Sequence, residues 1–308
     1  MKILLDTDIG TDPDDGVALS YLLLREDCEL LGITTVGRES PLRADIVSRF
    51  CRHFGRPDIP VEAGADHPYV ANRYWWHHHI QQGFIVEREP SGRAASPRRA
   101  LDLMRNAVRD HPGEVVVVSI GPMTNIGLLA AEDPETVSLI KAVYTMTGYF
   151  AQPGDAGPRT ECNTMLDPAS AHSAFYRAMP NHHVVPVNVT RGLGIPYARM
   201  IESFAGGRLE MLRRFCSRDG QKTDGRTGMH DPLTCACLFD HELCTWKRGR
   251  VQVELSDTDY ARGEKLPDQQ QTGRTIFFED DEGPHWVAVD RDAEAFHAHR
   301  DAVFATGR

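Results

Sequence analysis

Asp6, Asp8, Asp12, Asp14 and Asp15 place five carboxylates within ten residues, directly after the apolar run Ile3-Leu4-Leu5. Crowded carboxylates repel one another, and a fold tolerates them best when a cation neutralises them. Oxygen-only ligands at this density favour a hard ion, Ca²⁺ or Mg²⁺. The plainer account is a helix N-cap with a solvated acidic turn. A cap uses one Asp, not five, so the metal reading is the stronger.

Gly16-Val17-Ala18-Leu19-Ser20-Tyr21-Leu22-Leu23-Leu24 reads as a buried helix behind the acids. The acids therefore occupy a strand-to-helix loop, where open α/β sheets place their ligands. Further strands are expected at 30–36, 59–64, 114–120, 142–146 and 184–187, and helices at 41–54, 97–110, 123–131, 196–215 and 231–239. Asp167 followed by Pro168 predicts a capped helix start. The tail changes character, with strands expected at 251–255, 275–278 and 285–289 and a closing helix at 293–304. Glu279-Asp280-Asp281-Glu282 reads as a hairpin turn. Residues 65–95 have no clear period and read as a long loop or lid. The fold class expected is α/β: an open, mostly parallel Rossmann-like sheet flanked by helices, with extra C-terminal strands, in a single domain over 1–308.

The chain has 308 residues, 41% hydrophobic, which is ample for one large core. A net charge of −10 argues against nucleic acid or an anionic membrane as partner. No apolar run approaches a bilayer span, and acids interrupt the start where a signal peptide would stay apolar. The expectation is a soluble, cytoplasmic protein. Its seven cysteines form no CxxC pair and suit buried thiols of a reducing compartment.

The acidic segment Asp6-Thr7-Asp8-Ile9-Gly10 with Asp14-Asp15-Gly16 resembles the N-terminal signature of the inosine–uridine-type nucleoside hydrolases. Ile33-Thr34-Thr35-Val36, Pro60-Val61-Glu62-Ala63-Gly64, Gly121-Pro122-Met123-Thr124-Asn125-Ile126, Glu161-Cys162-Asn163 through Asp167-Pro168, His230-Asp231-Pro232 and Arg262-Gly263 are similar to later family segments, in family order. The resemblance implies Ca²⁺ held by Asp8, Asp15, Asp231 and the Ile120 carbonyl. It implies ribose contacts from Asp14 and Asn163, with Glu161 beside them. The implied reaction is hydrolysis of an N-glycosidic bond through an oxocarbenium-like transition state, with Asp8 as general base and His230 as the acid that protonates the departing base. It also implies a small nucleoside substrate and a homodimer or homotetramer.

Three departures stand out. Asp12-Pro13 lengthens the acidic loop, so Asp12 competes with Asp14 for the ribose role. Glu39 stands where the family often has a ribose-contacting Asn, and Arg38 beside it suits a phosphate or carboxylate. The lid carries Tyr74-Trp75-Trp76-His77-His78-His79, in which Trp75 and Trp76 suit stacking on a nucleobase. Asn188 stands where relatives often have an acid, and 225–229 reads as a second lid or a connector. The alternatives are a non-catalytic nucleoside-binding paralogue, a hydrolase of an unusual ribosyl compound, and an Asp-based Mg²⁺ phosphohydrolase. The last lacks a suitably placed Lys.

Overall fold

The Ile3-Leu4-Leu5 run becomes part of the hub of a nine-stranded sheet. In the computed structural model, which describes residues 1–70, 79–85, 91–150, 160–177, 179–217, 225–255 and 273–308, β1 (Lys2–Thr7) pairs in parallel with β2 (Glu29–Thr35) on one side. On the other side it pairs in parallel with β4 (Val115–Ser119). β3 (Val61–Ala63) extends the sheet beyond β2, and β5 (Ala142–Met146) and β6 (His182–Val185) extend it beyond β4. The order β3-β2-β1-β4-β5-β6 is doubly wound, with its switch point between β1 and β4. A crevice opens there at the carboxyl ends of the strands.

Alternation along the strands builds two cores. Ile3 and Leu5 with Val116 and Val118 face one layer, and Leu4 with Val115 and Val117 faces the other. Both faces are covered, so the strands read as continuous apolar runs. On the first face lie α1 (Asp14–Leu24) and α2 (Ser40–His53). On the second lie α3 (Pro97–Asp110) and α4 (Thr124–Glu132), followed by the short α5 (Pro134–Ser138). Every residue of α1 is buried, because it is packed between the sheet and later helices.

After β5 come α6 (Cys162–Leu166) and α7 (Pro168–Tyr176), where Asp167 caps α7 by accepting from Ser170 N, as expected. The strand expected at 184–187 begins earlier and ends at Val185. Pro186 lacks the N–H to continue it, and Val187–Thr190 coils into α8. The single helix expected over 196–215 is two, α9 (Tyr197–Ser203) and α10 (Glu210–Ser217). Gly206 and Gly207 break it with φ of 87° and 56°, and Gly207 packs against the backbone of Gly307, leaving no room for a Cβ. Arg226–Thr227 (β8) pairs with Ile195–Pro196 (β7), so this part of 225–229 is a connector with strand pairing. α11 (His230–Ala236) follows.

The C-terminal strands differ most from expectation. β9 (Cys244–Val253) is twice the length read from sequence, and it pairs antiparallel with both β10 (Thr275–Glu279) and β11 (His285–Arg291). The 279–282 run is therefore not a hairpin turn: it carries the chain over β9 from one edge to the other. An ideal Cβ on Gly283 would lie 2.5 Å from the Gly249 Cα, so only two glycines permit this crossing. β11 joins β6 in parallel, and α12 (Ala293–Ala305) closes the chain. No helix among the described residues is long and apolar enough to cross a membrane.

Candidate functional site

The loop leaving β1 meets the loop leaving β4 in a cleft of ≈ 270 Å³. Asp8, Thr11, Asp12, Asp14, Asp15, Ile120, Met146, Thr160, Glu161, Cys162, Asn163, Val187, Arg191, His230 and Asp231 line it. A larger groove of ≈ 680 Å³ between the C-terminal ends of α1 and α12 holds no comparable set of acids.

Asp14 and Asp15 form the first turn of α1, and neither caps it, since the cap position is Pro13 with no side-chain bond. Their charges instead lie at the positive end of the helix dipole. Thr7 Oγ1 donates to Asp15 Oδ1 at 2.5 Å. Asp14 Oδ2 accepts from His230 N at 3.2 Å, which ties the start of α1 to the start of α11. That contact brings the Asp14, Asp15 and Asp231 carboxylates together, with oxygens all within 4.8 Å of one another. Burial, then the charges of Asp8 and Asp14, push Asp15 well above the usual carboxylate range. Burial, then Asp14, Asp15, Asp8 and Asp12, does the same to Asp231. Three buried acids that oppose one another's ionisation, with oxygen donors only, fit a divalent cation. Gly121 leaves room beside them: a Cβ there would lie 2.9 Å from Asp8 Oδ1.

A buried cation supports the loop from below. Arg43 of α2 is 0% exposed and donates Nη1 to the Asp8 and Ile9 carbonyls and to Thr11 Oγ1, and Nε to the Arg38 carbonyl. Asp6, in β1, accepts from Thr34 Oγ1 and Asn125 Nδ2, and burial raises it to about 7.

The opposite wall is α6. Glu161 caps it, accepting from Asn163 N at 2.6 Å and from Thr164 N and Gly148 N at 3.1 and 3.0 Å. Burial pushes its carboxyl above the usual carboxylate range even against those bonds. Asn163 Nδ2 donates to the carbonyls of Ile120 and Met146, leaving Oδ1 as the remaining polar atom of its amide. His230 sits over Gly228, where a Cβ would lie 2.6 Å from the ring. Its Nδ1 is 2.6 Å from Thr190 Oγ1. With the hydroxyl as donor, the ring's proton resides on Nε2.

Asp8, Asp14, Asp15, Ile120, Glu161, Asn163, His230 and Asp231 all line this one cleft; the close carboxylate triad contains Asp14 where the resemblance implied Asp8, which lines the cleft outside the triad. Asp12 lines it too. Glu39 does not: it is exposed, takes a left-handed φ of 66°, and accepts from Ile80 N through its side chain. Trp75 and Trp76 lie outside the described residues, as does Arg262-Gly263. Asn188 is structural, accepting from Phe150 N and donating to Phe150 O. Cys162 is the exposed thiol of the seven cysteines and lies on the cleft wall.

Sequence reasoning missed Arg43, Thr190 and Arg191. Arg43 had a signal: with Ile46, Val47 and Phe50 it lies on the buried stripe of α2, and a charge there requires internal partners. Thr190 and Arg191 had none, because a four-residue helix sets their direction.

The family model for inosine-uridine preferring nucleoside hydrolases matches residues 3–298. Uridine nucleosidase 1 of Arabidopsis thaliana is 30% identical over 265 residues, covering 82% of this chain and 78% of the relative. The pyrimidine-specific ribonucleoside hydrolase RihA of Salmonella gallinarum is 28% identical over 315 residues, 96% of either chain. Among solved structures, a purine-preferring ribonucleoside hydrolase from Gardnerella vaginalis superposes with a TM-score of 0.78 over 100% of this chain and 99% of that one, at 24% identity, and so shares the fold. A cleft of convergent acids at the switch point of a doubly wound sheet, matched almost end to end by one family, makes this chain a member of the inosine-uridine preferring nucleoside hydrolases.

Proposed function

We propose that the protein is a Ca²⁺-dependent hydrolase of ribonucleosides, releasing base and ribose. The carrying observation is the buried Asp14–Asp15–Asp231 cluster, whose oxygens lie within 4.8 Å of one another. In this reading Asp8, Asp15, Asp231 and the Ile120 carbonyl hold the ion, with Asp14 at its edge. A divalent ion held by these residues would supply Lewis-acid polarisation and oxygen coordination in the cleft. Asp8 accepts the proton of the attacking water. Asp14 and the Asn163 amide oxygen take ribose hydroxyls, with Glu161 positioning α6 behind them. The acidic floor favours the cationic sugar of the transition state. His230 donates its Nε2 proton to the departing base.

The test is a panel of nucleosides with Ca²⁺, read as free reducing sugar. Turnover is expected with Ca²⁺ and is expected to vanish with a chelator. Asp8→Asn is expected to lower kcat by ~10²–10⁴-fold, the usual worth of general acid–base assistance. Turnover that ignores chelation, or an Asp8→Asn enzyme near full kcat, would overturn the assignment. The reading extends to a cytoplasmic homodimer or homotetramer, the default of closed symmetry. Light scattering that returned only a 34.4 kDa species would refute the oligomer.

A further inference from the structure

The cleft is walled by acids, yet one permanent cation enters it. Among the described residues, Arg191 is the only lysine or arginine lining the cleft. No carboxylate among the described residues pairs with it. Its guanidinium carbon lies 5.6 Å from the centre of the Tyr149 ring. Its carbonyl accepts from Arg291 Nη2 at 3.0 Å, which fixes the backbone from which the side chain extends. The preceding residue, Thr190, holds His230 Nδ1 at 2.6 Å. The α8 segment thus gives the cleft Val187 and Arg191 and, through Thr190, the support of His230 at the start of α11. The carboxylate triad lies at the metal end of the same cleft.

Arginine cannot serve as a proton donor in a cycle at neutral pH, because it stays protonated. It offers N–H donors and no acceptor. In the cleft that also holds the group assigned to the leaving base, it discriminates by what the base edge presents. An exocyclic oxygen accepts its hydrogen bond. An exocyclic amino group presents hydrogens to a cation and is repelled. The oxygen's charge also grows as the glycosidic bond breaks, so the bond strengthens towards the transition state.

We propose that Arg191 is a specificity-determining residue that contacts the exocyclic oxygen of the leaving base, selecting oxo bases over their amino counterparts within a ring class. The proposal rests on the ribonucleoside hydrolase reading above. A 5′-phosphate is the other anion an arginine would attract. The acids that surround the ribose end disfavour it, and Arg191 follows directly on the residue that holds His230, the group assigned to the base.

The experiment measures kcat/KM with Ca²⁺ for inosine, adenosine, uridine, cytidine, inosine 5′-monophosphate and a nitrophenyl riboside, in the wild type, Arg191→Gln and Arg191→Lys. The wild type is expected to prefer the oxo member of each pair it hydrolyses by about 10-fold, the worth of one charge-assisted hydrogen bond. Arg191→Gln presents donor and acceptor together and is expected to bring that ratio below about 3-fold by losing rate on the oxo substrate. Arg191→Lys, which keeps the charge, is expected to retain part of the preference. The nitrophenyl riboside and the Ca²⁺-induced rise in Tm are expected to stay nearly unchanged. An unchanged ratio in Arg191→Gln, an equal loss on every substrate, or a loss confined to the monophosphate would overturn the proposal while leaving the hydrolase reading intact. A wild type that frees ribose from no nucleoside would overturn both.

Discussion

At the residue scale, the site depends on atoms that never meet a substrate. The Thr190 hydroxyl lies 2.6 Å from His230 Nδ1 and fixes the orientation of the ring. Thr190→Val keeps the shape and removes that hydroxyl. If His230 is the acid proposed above, this is expected to slow natural nucleosides by about 10-fold, the scale of one hydrogen bond, and to leave an activated nitrophenyl riboside nearly untouched. Equal slowing of both would mean that Thr190 only packs. This scale also shows where sequence reading stops. Asp8 and Asp15 were legible as candidates because acids crowd directly behind an apolar strand, and Asp231 because it follows His230 at a helix start. Thr190 is a common residue with an uncommon direction, and direction belongs to the backbone. Glu39 shows the converse: its position suggested ribose, but a left-handed turn points its carboxylate at Ile80 N.

At the element scale, β6 and β11 bring histidines into the sheet in register, His285 beside His182 and Trp286 beside His183. His183 stacks on Tyr144 at 4.4 Å, and Phe175 stacks on His182 at 5.0 Å. Burial lowers all three rings, His183 and His285 to about 4 and His182 well below the ordinary histidine value. The unfolded chain therefore protonates first as pH falls below the ordinary histidine value of about 6.5. Their contribution is whole above that pH, declines between about 6.5 and 4, and is lost below. His183→Phe keeps an aromatic ring and removes one titration. In urea melts across this window, its stability is expected to fall less steeply than the wild type's, by up to about 1.4 kcal/mol per pH unit. Parallel slopes would show that His183 does not drive the acid loss. The parallel strands and α1 were legible because both of their sides are buried. The first half of β9 was not, since Lys247, Arg248 and Arg250 point outward and hide its period. The break between α9 and α10 depends on a close approach from the C-terminus that local sequence does not record.

At the scale of the whole molecule, the C-terminal strands complete the active cleft. Thr275 Oγ1 of β10 accepts from Tyr149 N at 2.9 Å and donates to Tyr149 O at 3.0 Å. Gly273 presses on the backbone of Thr164 and Met165 in α6, where a Cβ would lie 2.9 Å from the Thr164 carbonyl oxygen. Glu161 bonds Gly148 N just ahead of Tyr149. Thr275→Val is therefore expected to cost about 1–2 kcal/mol of stability and to raise KM several-fold with kcat nearly kept, because α6 loses its brace. A KM equal to the wild type's would place β10 outside the site's support. This strap follows from the Gly249–Gly283 crossing and not from any motif.

The same strap sets a timetable for synthesis. The ribosome releases the acidic loop first, then Arg43, and only much later Asp231 and Thr275. Until then the nascent acids have no triad in which to hold an ion, and α6 has no brace. Arg43, also made early, is the buried arginine that bonds the loop's own carbonyls in the finished fold.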